Sequence, residues 1–476
     1  MRVIFFFLCA ALFLVISAAS ASAETIHLKN GRTILVDRVR ENGSRLEYDI
    51  GDDSYAIPKA LVDHVDAGGA PVHAASAHDS KSISELQHFT PADSLANEGD
   101  LVAKIIKDGE IDLGALANLE SKGNPELSAT AEFIAGKHAF EHGDTPLARR
   151  YFETALRFQP DSSTILSYYA ALLLRTGNAS EALPYAQRAV RAAPDSADAF
   201  AILGYAQFAS DRTKDAVVSW TRSLELRPDP AIKQLLAKAQ REENAETDFV
   251  QRESSHFVLH YEGRQTSEAF RSQIIAALES DYDDLVRDLG SSPRDNILVT
   301  LYTEQAFFDV THAPGWTAAL NDGKLRIPVS GMSSMTPELA HVLKHELAHS
   351  FIGQMSAGRC PPWLNEGIAQ FFEPRSLASD GHQLAIRFSS QSYIPLNALE
   401  GTFMRFSGGQ AAIAYAESLA AVAYINDSYG MGDIQRILQM LGQGSSTEAA
   451  LRATIHSDYS QLEIDLGKYL KDKYGN

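Results

Sequence analysis

Cysteine is almost missing from this sequence: among 476 residues, the cysteines are Cys9 and Cys360. Cys9 lies in an N-terminal segment with the pattern of a cleaved signal, and its removal would leave Cys360 without an intramolecular partner. We therefore expect no internal disulfide, although secretion would permit one, and we expect packing alone to stabilise the fold.

Basic residues are also scarce relative to acidic ones, with 42 Lys and Arg against 61 Asp and Glu and a net charge of -19. Such a surface repels phosphate backbones, so we expect no nucleic acid partner. Hydrophobic residues make up 45% and charged residues 22%, which is typical of globular proteins. The length exceeds what one hydrophobic core can serve, so two or more domains are expected.

Long apolar runs are absent after the N-terminus. Arg2 is followed by an apolar run from Val3 to Ile16 and by the small residues Ala21-Ser22-Ala23. This pattern predicts a signal peptide over residues 1–23 and a mature chain that starts at Glu24. The apolar run is shorter than a typical membrane span, which favours cleavage over an uncleaved anchor. We expect a periplasmic or secreted protein with no membrane span after signal cleavage.

Residues 24–66 alternate between apolar and polar side chains, as short strands do. Asn30-Gly31 lies between two such runs and indicates a hairpin, and Asn42-Gly43 and Gly51-Asp52 indicate further turns. The pattern predicts a small β module, either a β-barrel or an open β-roll. It carries no evident catalytic residues, so we interpret it as an accessory module.

A linker and a connector follow the β module. Residues 67–82 are rich in Ala, Gly, Ser and His, which predicts a linker, and residues 83–128 are interpreted as a helical connector. This part of the chain also contains His64, His73 and His78. We interpret these histidines as solvated residues and not as a metal site.

The middle of the chain contains an internal repeat of 34 residues. The step is kept by prolines, by small residues and by apolar residues: Pro160, Pro194 and Pro228; Ala148, Ala182 and Ala216; Gly136, Ala170 and Gly204; Leu156, Val190 and Leu224; Phe140, Leu174 and Phe208. The period and the small positions match the tetratricopeptide repeat. They predict three repeats over residues 129–162, 163–196 and 197–230, with a capping helix over 231–242. Such a solenoid either binds a peptide or protein partner or acts only as a spacer.

From residue 250 the pattern changes to an α+β domain that extends to residue 476. The segments SSHFVLHYEG, NILVTLYT and KLRIPVS are typical of strands, and Ser267 to Leu289 is typical of an amphipathic helix. Helices dominate afterwards. The fold class is therefore multidomain, with a small N-terminal β module, an α-helical tetratricopeptide solenoid and a C-terminal α+β domain.

The segment TPELAHVLKHELAHSFIG carries the strongest chemical signal. Thr336 and Pro337 are suited to begin a helix, and Gly353 is suited to end it. His345 and His349 then lie one turn apart on one face, where both imidazoles reach a single Zn²⁺. The alternative is an amphipathic helix with two histidines that bind nothing.

Zinc also requires a third protein ligand while one position stays open. The segment PPWLNEGIAQFFE supplies Glu366 on a second predicted helix, and SAGRCPP between the helices is able to reverse the chain. Two antiparallel helices would place Glu366 beside both histidines. Glu346, directly after the first histidine, would accept a proton from a zinc-activated water.

HELAH followed by PPWLNEGIAQFFE resembles the gluzincin peptidases, including the thermolysin-like and aminopeptidase-N-like enzymes. In particular it resembles the bacterial peptidase MA-like domain that occurs with tetratricopeptide repeats, from about Phe257 to the C-terminus. The resemblance implies a thermolysin-like domain in which His345, His349 and Glu366 bind Zn²⁺ and Glu346 is the catalytic base.

The sequence departs from this family in two respects. The ligand spacing is somewhat shorter than in the better-known gluzincins, and no G-x-M-E-N segment, which anchors the substrate amino group in aminopeptidases, precedes the zinc motif. An endopeptidase is therefore favoured over an aminopeptidase. Related enzymes stabilise the oxyanion with a downstream Tyr or His, which implies Tyr415, with Tyr393 as the next candidate and a buried core tyrosine as the alternative for either.

Several neighbouring residues have open interpretations. One of Asn365, Gln370 and Glu373 is expected to orient a zinc-ligating histidine. The strand Leu325 to Val329 is either an edge strand that pairs with extended substrate or an ordinary structural strand. The remaining candidates receive no chemical role: His341 is interpreted as a surface residue, Cys360 as a small apolar filler, and His256, His260 and His312 as isolated histidines.

The favoured function is thus zinc-dependent hydrolysis of peptide bonds, with a peptide or protein as substrate and a possible protein partner on the repeat surface. One alternative is a non-catalytic interaction scaffold whose peptidase-like domain only binds. Another is a zinc amide hydrolase that acts on cell-wall material.

Overall fold

The computed structural model describes the chain from residue 23 to residue 475 with gaps; the described residues are 23–29, 33–36, 38–43, 45–50, 53–69, 89–313, 317–329, 331–373, 376–378, 380–401, 403, 406 and 408–475. They form two compact units, one with the N-terminal strands and one with nearly all residues from Phe89 onward. Residues 1–22 of the predicted signal peptide, most of the predicted linker, His73 and His78 lie outside these ranges. Within them, no helix has both the length and the apolar character that crossing a membrane requires.

The N-terminal unit consists of two three-stranded antiparallel sheets, which agrees with the predicted β module. Their strands are β1 (Ala23–Leu28), β2 (Thr33–Val36), β3 (Arg38–Asn42), β4 (Arg45–Ile50), β5 (Asp53–Pro58) and β6 (Val62–Gly69), in the orders β2-β1-β6 and β3-β4-β5. Asn42 pairs with Arg45 across the Asn42-Gly43 turn, where Gly43 has φ +59°. The strands β1 and β2 pair as the predicted hairpin, and Asn30-Gly31 itself lies outside the described residues.

The second unit begins with a connector that packs on the first repeat helix. Its elements are α1 (Glu98–Ile105), β7 (Ile106–Lys107), β8 (Glu110–Ile111) and α2 (Leu113–Ser121). Leu101, Ile105 and Leu116 share one buried cluster with Ile134 of the next helix. The connector thus covers the apolar side of the repeat array at its N-terminal end.

The predicted repeats form three helix pairs and a further helix. The bounds are α3 (Pro125–His142), α4 (Thr145–Phe158), α5 (Ser163–Arg175), α6 (Ala179–Ala192), α7 (Ala197–Ala209), α8 (Thr213–Leu226) and α9 (Pro230–Ala245). The small residues lie where two helices of a pair meet: a Cβ on Gly136 would lie 2.7 Å from the Phe152 ring, and one on Gly204 would lie 2.5 Å from Trp220. Small residues are therefore required there for helix packing.

The turn inside each repeat contacts the C-terminal α+β domain. The turns contain Gly143, Gly177 and Asp211, which are 34 residues apart and have φ of +79°, +71° and +60°. Arg359 donates to the Gly143 carbonyl at 3.2 Å, Gln354 donates to the Thr176 carbonyl at 3.1 Å, and Lys324 donates to Asp211 at 3.1 Å. Each repeat thus contacts the α+β domain through its turn, so these contacts recur with the spacing of the repeats.

A five-stranded sheet opens the α+β domain, in the order β12-β13-β11-β10-β9. The elements are β9 (Val250–Glu253), β10 (Phe257–Tyr261), α10 (Glu268–Leu289), β11 (Ile297–Tyr302), α11 (Glu304–Thr311), β12 (Leu320–Asn321) and β13 (Leu325–Pro328). The interpretation of Leu325 to Val329 as an edge strand is wrong, because β13 pairs with β11 on one side and with β12 on the other. The two-residue strand β12 forms this edge.

Buried charges join α9 to this sheet. Glu242 on α9 is fully buried and accepts hydrogen bonds from Lys324 and from Arg326, the latter at 2.7 Å. Arg326 also donates to Asp322 at 2.9 Å, and Lys238 lies 2.7 Å from Asp322. Each buried charge therefore has an opposite charge beside it, as burial requires.

Helices complete the α+β domain. They are α12 (Pro337–Ser356), α13 (Pro362–Phe372), α14 (Gly381–Ser389), α15 (Gly408–Tyr429), α16 (Met431–Gly442), α17 (Thr447–Ile455) and α18 (Tyr459–Tyr474), with a 3₁₀ helix over Leu396–Glu400. The prediction that α12 ends at Gly353 is wrong, because the helix continues to Ser356. The chain leaves the helix at Ala357 and Gly358, which have φ +48° and +71° and whose N–H groups both donate to the Gly353 carbonyl.

Candidate metal centre

Helix α12 holds both histidines of the zinc motif. Thr336 caps the helix by accepting from the Leu339 N–H at 3.1 Å, and Pro337 occupies the first turn, as predicted. Leu343 and Leu347 are fully buried, so the helix face that carries them is fixed in the core. One turn apart, His345 and His349 are 1% and 2% exposed, with ring centroids 4.9 Å apart.

Helix α13 holds Glu366 against the histidines. The turn at Ala357 and Gly358 reverses the chain between α12 and α13. On α13, the residue that follows Glu366 is Gly367. A Cβ at Gly367 would lie 2.4 Å from the backbone oxygen of Ser418 on α15. A side chain at this position would force the two helices apart, so glycine is required for the depth at which α13 packs.

The two helices bring three ligand atoms together. Glu366 Oε2 lies 3.6 Å from His345 Nε2 and 4.0 Å from His349 Nε2. Ligand atoms of the three residues all lie within 4.8 Å of one another, and Glu366 is 3% exposed. Ligands about 2.1 Å from a tetrahedral zinc lie about 3.4 Å apart. The group therefore fits Zn²⁺ after a small contraction, and its two imidazoles and one carboxylate are a donor set that zinc accepts.

The other ring nitrogen of each histidine contacts a residue of α13 or its end. Glu373 Oε2 lies 3.1 Å from His345 Nδ1, and Asn365 Oδ1 lies 2.9 Å from His349 Nδ1. In both cases an N–H at Nδ1 would donate and leave Nε2 to face the cluster. Two of the three predicted orienting residues thus contact histidines. Gln370, the third, donates to the backbone oxygens of Glu366 and Tyr415 instead, at 3.2 and 3.0 Å.

The cluster strongly favours a positive charge. Burial disfavours the protonated form of His345, but Glu366, Glu373 and Glu346 outweigh it and raise the pKa of His345 to about 10. A divalent cation would satisfy the same carboxylates more strongly than a proton on one imidazole.

Glu346 is fully buried in the same helix turn as His345 and His349. The backbone of this turn is held by Asn321, whose side chain donates to the Glu346 carbonyl and to the Ser350 hydroxyl, both at 2.7 Å. Sequence reasoning missed Asn321. Asn321 lies in the two-residue strand β12, which is too short to show a periodic pattern. The only sequence signal for its location is that it precedes the strand segment KLRIPVS.

The two tyrosine candidates lie in different surroundings. Tyr415 is 6% exposed on α15, and its ring packs edge-on against Phe403 with centroids 5.3 Å apart. Its backbone oxygen accepts from Gln370, so α15 and α13 are in contact at this level. The hydroxyl of Tyr393 donates to Glu463 at 3.1 Å, and its ring stacks on Phe388. The catalytic role of Tyr415 stays a prediction.

Other sequence candidates lie outside the cluster. Among the described His, Cys, Asp and Glu side chains, the group that brings its ligand atoms together is His345, His349 and Glu366. His341 is exposed on α12, in agreement with its interpretation as a surface residue. Cys360 packs against the hydrophobic core, and burial raises the pKa of its thiol well above the usual value.

Comparisons with known proteins agree with this arrangement. A family model described as the Peptidase MA superfamily matches residues 283–472, which include both helices of the cluster. The C-terminal part of the chain is a Peptidase MA superfamily domain. A tetratricopeptide repeat model matches residues 133–197 and 170–231 of the array. The suspected peptidase MA-like domain with tetratricopeptide repeats is therefore confirmed.

One solved structure similar to the array is the Arabidopsis OM64 TPR domain. It has 18% sequence identity and a TM-score of 0.24, and the match covers 26% of this chain and 98% of that one. No curated protein matches the chain. The Peptidase MA superfamily is typically zinc-dependent, and the His-His-Glu cluster of its domain here offers a matching set of ligands.

Proposed function

We propose that this protein is a zinc-dependent peptidase that hydrolyses internal peptide bonds in protein substrates. The observation that carries the proposal is the convergence of His345 Nε2, His349 Nε2 and Glu366 Oε2 beside the buried Glu346. A structural zinc site would use four protein ligands, whereas three ligands leave a position for water or substrate.

The ligands of the proposed site are His345, His349 and Glu366. When bound, Zn²⁺ would lower the pKa of a water and polarise the substrate carbonyl. Asn365 and Glu373 would hold the imidazoles so that each presents Nε2. Asn321 would fix the backbone of the turn that carries Glu346.

Glu346 is the proposed general base. It follows His345 directly on the helix that carries two of the proposed ligands, and its charge helps to raise the pKa of His345. It would take the proton from the attacking water and pass it to the leaving amine. Tyr415 is the proposed donor to the oxyanion. An endopeptidase is favoured because the sequence lacks the G-x-M-E-N segment that holds a free amino group in the resembling aminopeptidases.

The proposed location is the periplasm or the cell exterior. The support is the signal-like pattern of residues 1–23. Sequencing the N-terminus of protein purified from its native host tests it: a start at Glu24 supports export, and a start at Met1 contradicts it. The repeat array is proposed to bind a protein partner or substrate.

The decisive experiment measures zinc and hydrolysis in the same preparations. Wild type is expected to hold one zinc per chain by elemental analysis and to cleave an unfolded protein, whereas Glu366→Ala loses the metal. Glu346→Gln is expected to keep the zinc and lose at least 100-fold in hydrolysis. Its matched control is Glu338→Gln, an exposed glutamate on the same helix, which is expected to behave as wild type.

Two outcomes would change the proposal. Bound zinc without hydrolysis of any unfolded protein, and without an effect of Glu346→Gln, would indicate a binding scaffold. Hydrolysis of cell-wall amides but of no peptide in a substrate panel would indicate an amide hydrolase instead.

A further inference from the structure

A segment of the chain lies across the surface formed by the first helices of the repeats, α5 and α7, which we call the first-helix face. The segment is Phe89–Leu95, which is separated from α1 by two residues. Its residues alternate in exposure: Phe89, Pro91, Asp93 and Leu95 are buried or half-buried, whereas the three residues between them are exposed. Alternation of this kind is what an extended peptide shows when one side faces a surface.

The backbone of the segment is held by side chains of the first helices. The N–H groups of Ala92 and Asp93 both donate to the Asp198 carboxylate at 2.6 Å, and Asp198 is 1% exposed. The hydroxyl of Tyr168 donates to the Pro91 carbonyl at 2.7 Å. Such main-chain bonds provide affinity for a peptide without regard to its side chains.

The inward side chains of the segment occupy distinct positions on the face. The ring of Phe89 packs against Tyr205 with centroids 4.8 Å apart. Asp93 accepts a hydrogen bond of 2.6 Å from Ser196, which caps α7, and lies 3.9 Å from Arg227. An anion at a helix N-terminus beside an arginine is favourable. The face thus accommodates an aromatic and an acidic side chain four positions apart, with proline between them.

We propose that the first-helix face is a peptide-binding site, and that Phe89–Leu95 occupies it in cis as a displaceable ligand. The partner is a protein with an extended Phe-x-Pro-x-Asp segment, which competes with the chain's own copy. The proposal deepens the proposed binding role of the repeat array and does not depend on zinc or hydrolysis.

The tether explains how the segment stays bound. Two residues separate Leu95 from α1, whose Glu98 pairs with Lys137 of α3 at 2.8 Å. A short tether of this kind gives an effective concentration in the millimolar range. A free peptide with the same contacts therefore binds the intact chain weakly and binds well only where the cis contacts are weakened.

The test uses a fluorescent peptide with the sequence of residues 88–96, HFTPADSLA, and the full chain carrying Glu346→Gln so that the peptide is not consumed. In the opened variant, Phe89→Ala with Asp93→Ala, the peptide is expected to bind at least tenfold more tightly than in the parent. Ser94→Ala is the matched control, because Ser94 lies in the same segment and faces outward; it is expected to bind as the parent does.

A change on the face itself identifies the site. Tyr168→Phe in the opened variant removes one hydrogen bond and is expected to weaken binding roughly two- to tenfold. A peptide with Ala in place of both Phe and Asp is expected not to bind. Circular dichroism and a cooperative thermal transition establish that each variant is folded.

A second measurement avoids changes to the segment. An excess of the free peptide is expected to accelerate hydrogen exchange at the Ala92 and Asp93 amides of the parent, and a scrambled peptide is not. If the folded opened variant does not bind and exchange at these amides is unchanged, Phe89–Leu95 is a fixed structural element and the proposal is overturned. Equal binding to parent and opened variant overturns it as well. Neither result bears on zinc-dependent hydrolysis.

Discussion

The side-chain oxygen of Asn365 lies 2.9 Å from Nδ1 of His349, and the residue after Asn365 is Glu366. One short stretch of α13 thus carries the proposed zinc ligand Glu366 and contacts the ring of another proposed ligand, His349. Asn365→Ala is expected to lower zinc affinity about 10- to 100-fold, because His349 loses the partner that fixes its ring. Competition with a chromophoric chelator measures the affinity. Asn397→Ala, at an exposed position, is the control, and equal affinities for the two variants would contradict the prediction.

Gly367 sets how closely α13 approaches α15. Gly367→Ala is expected to weaken zinc binding and to lower the melting temperature, because the new methyl group would lie 2.4 Å from the Ser418 oxygen and displace Glu366. The matched control is Gly353→Ala on α12, where a Cβ has no neighbour within 4 Å. That change is expected to be neutral or to stabilise the fold by up to about 1 kcal/mol. A wild-type melting temperature and zinc affinity for Gly367→Ala would refute this account.

Glu242 neutralises two cations between the repeat array and the sheet. Burial opposes its ionisation, but Arg326 and Lys324 outweigh burial and hold the pKa of Glu242 well below its usual value. Glu242→Gln is expected to destabilise the fold by about 3–5 kcal/mol, because Lys324 and Arg326 stay buried without their anion. Thermal unfolding measures the effect, and the neighbouring half-buried Glu243→Gln is the control. A drop no larger than that of the control would show that the network tolerates the lost charge.

His260 introduces a pH dependence into the same junction. Burial lowers its pKa, but Asp211 at 2.7 Å and Glu246 at 3.7 Å raise the pKa of His260 to about 9. The pKa of His260 in the folded protein exceeds the unfolded value of about 6.5. The protonated ring therefore stabilises the fold by at most about 3 kcal/mol, and this stabilisation is fully present below pH 6.5. It is lost as the pH rises through 9.

The melting temperature of His260→Gln is therefore expected to fall well below that of wild type at pH 6 and to approach it at pH 10. His142→Gln, an exposed histidine on α3, is expected to match wild type at both values. A gap that stays constant between pH 6 and pH 10 would show that protonation of His260 does not stabilise the junction.

Local sequence signals predicted the elements that carry the site. The helical period around HELAH places His345 and His349 one turn apart whatever surrounds the helix, and a turn followed by a second helix leaves few positions for Glu366. The repeat columns predicted the array in the same way, because each small residue serves a contact between helices that are adjacent in sequence. The helix end at Gly353 was missed, since glycine inside a helix weakens it without ending it.

Long-range contacts account for most of what the sequence did not predict. Asn321 reaches the Glu346 carbonyl from a two-residue strand, and His260, interpreted as isolated, pairs with Asp211 of the third repeat. Such partners are distant in sequence and share no period, so no local pattern marks them. The edge position of β12 was missed for the same reason, because its pairing with β13 involves two residues on each strand.

The evenly spaced turns at Gly143, Gly177 and Asp211 all contact the α+β domain. The number of repeats therefore has to match the surface that this domain offers. Each successive unit contacts a different residue of the α+β domain: Arg359, then Gln354, then Lys324. Tandem duplication, by which solenoids ordinarily lengthen, would move the later units off these positions, and deletion of one unit would leave a donor of the α+β domain without its acceptor. The number of repeats is thereby tied to the surface of the α+β domain, so that the array is fixed in length where free-standing solenoids are not.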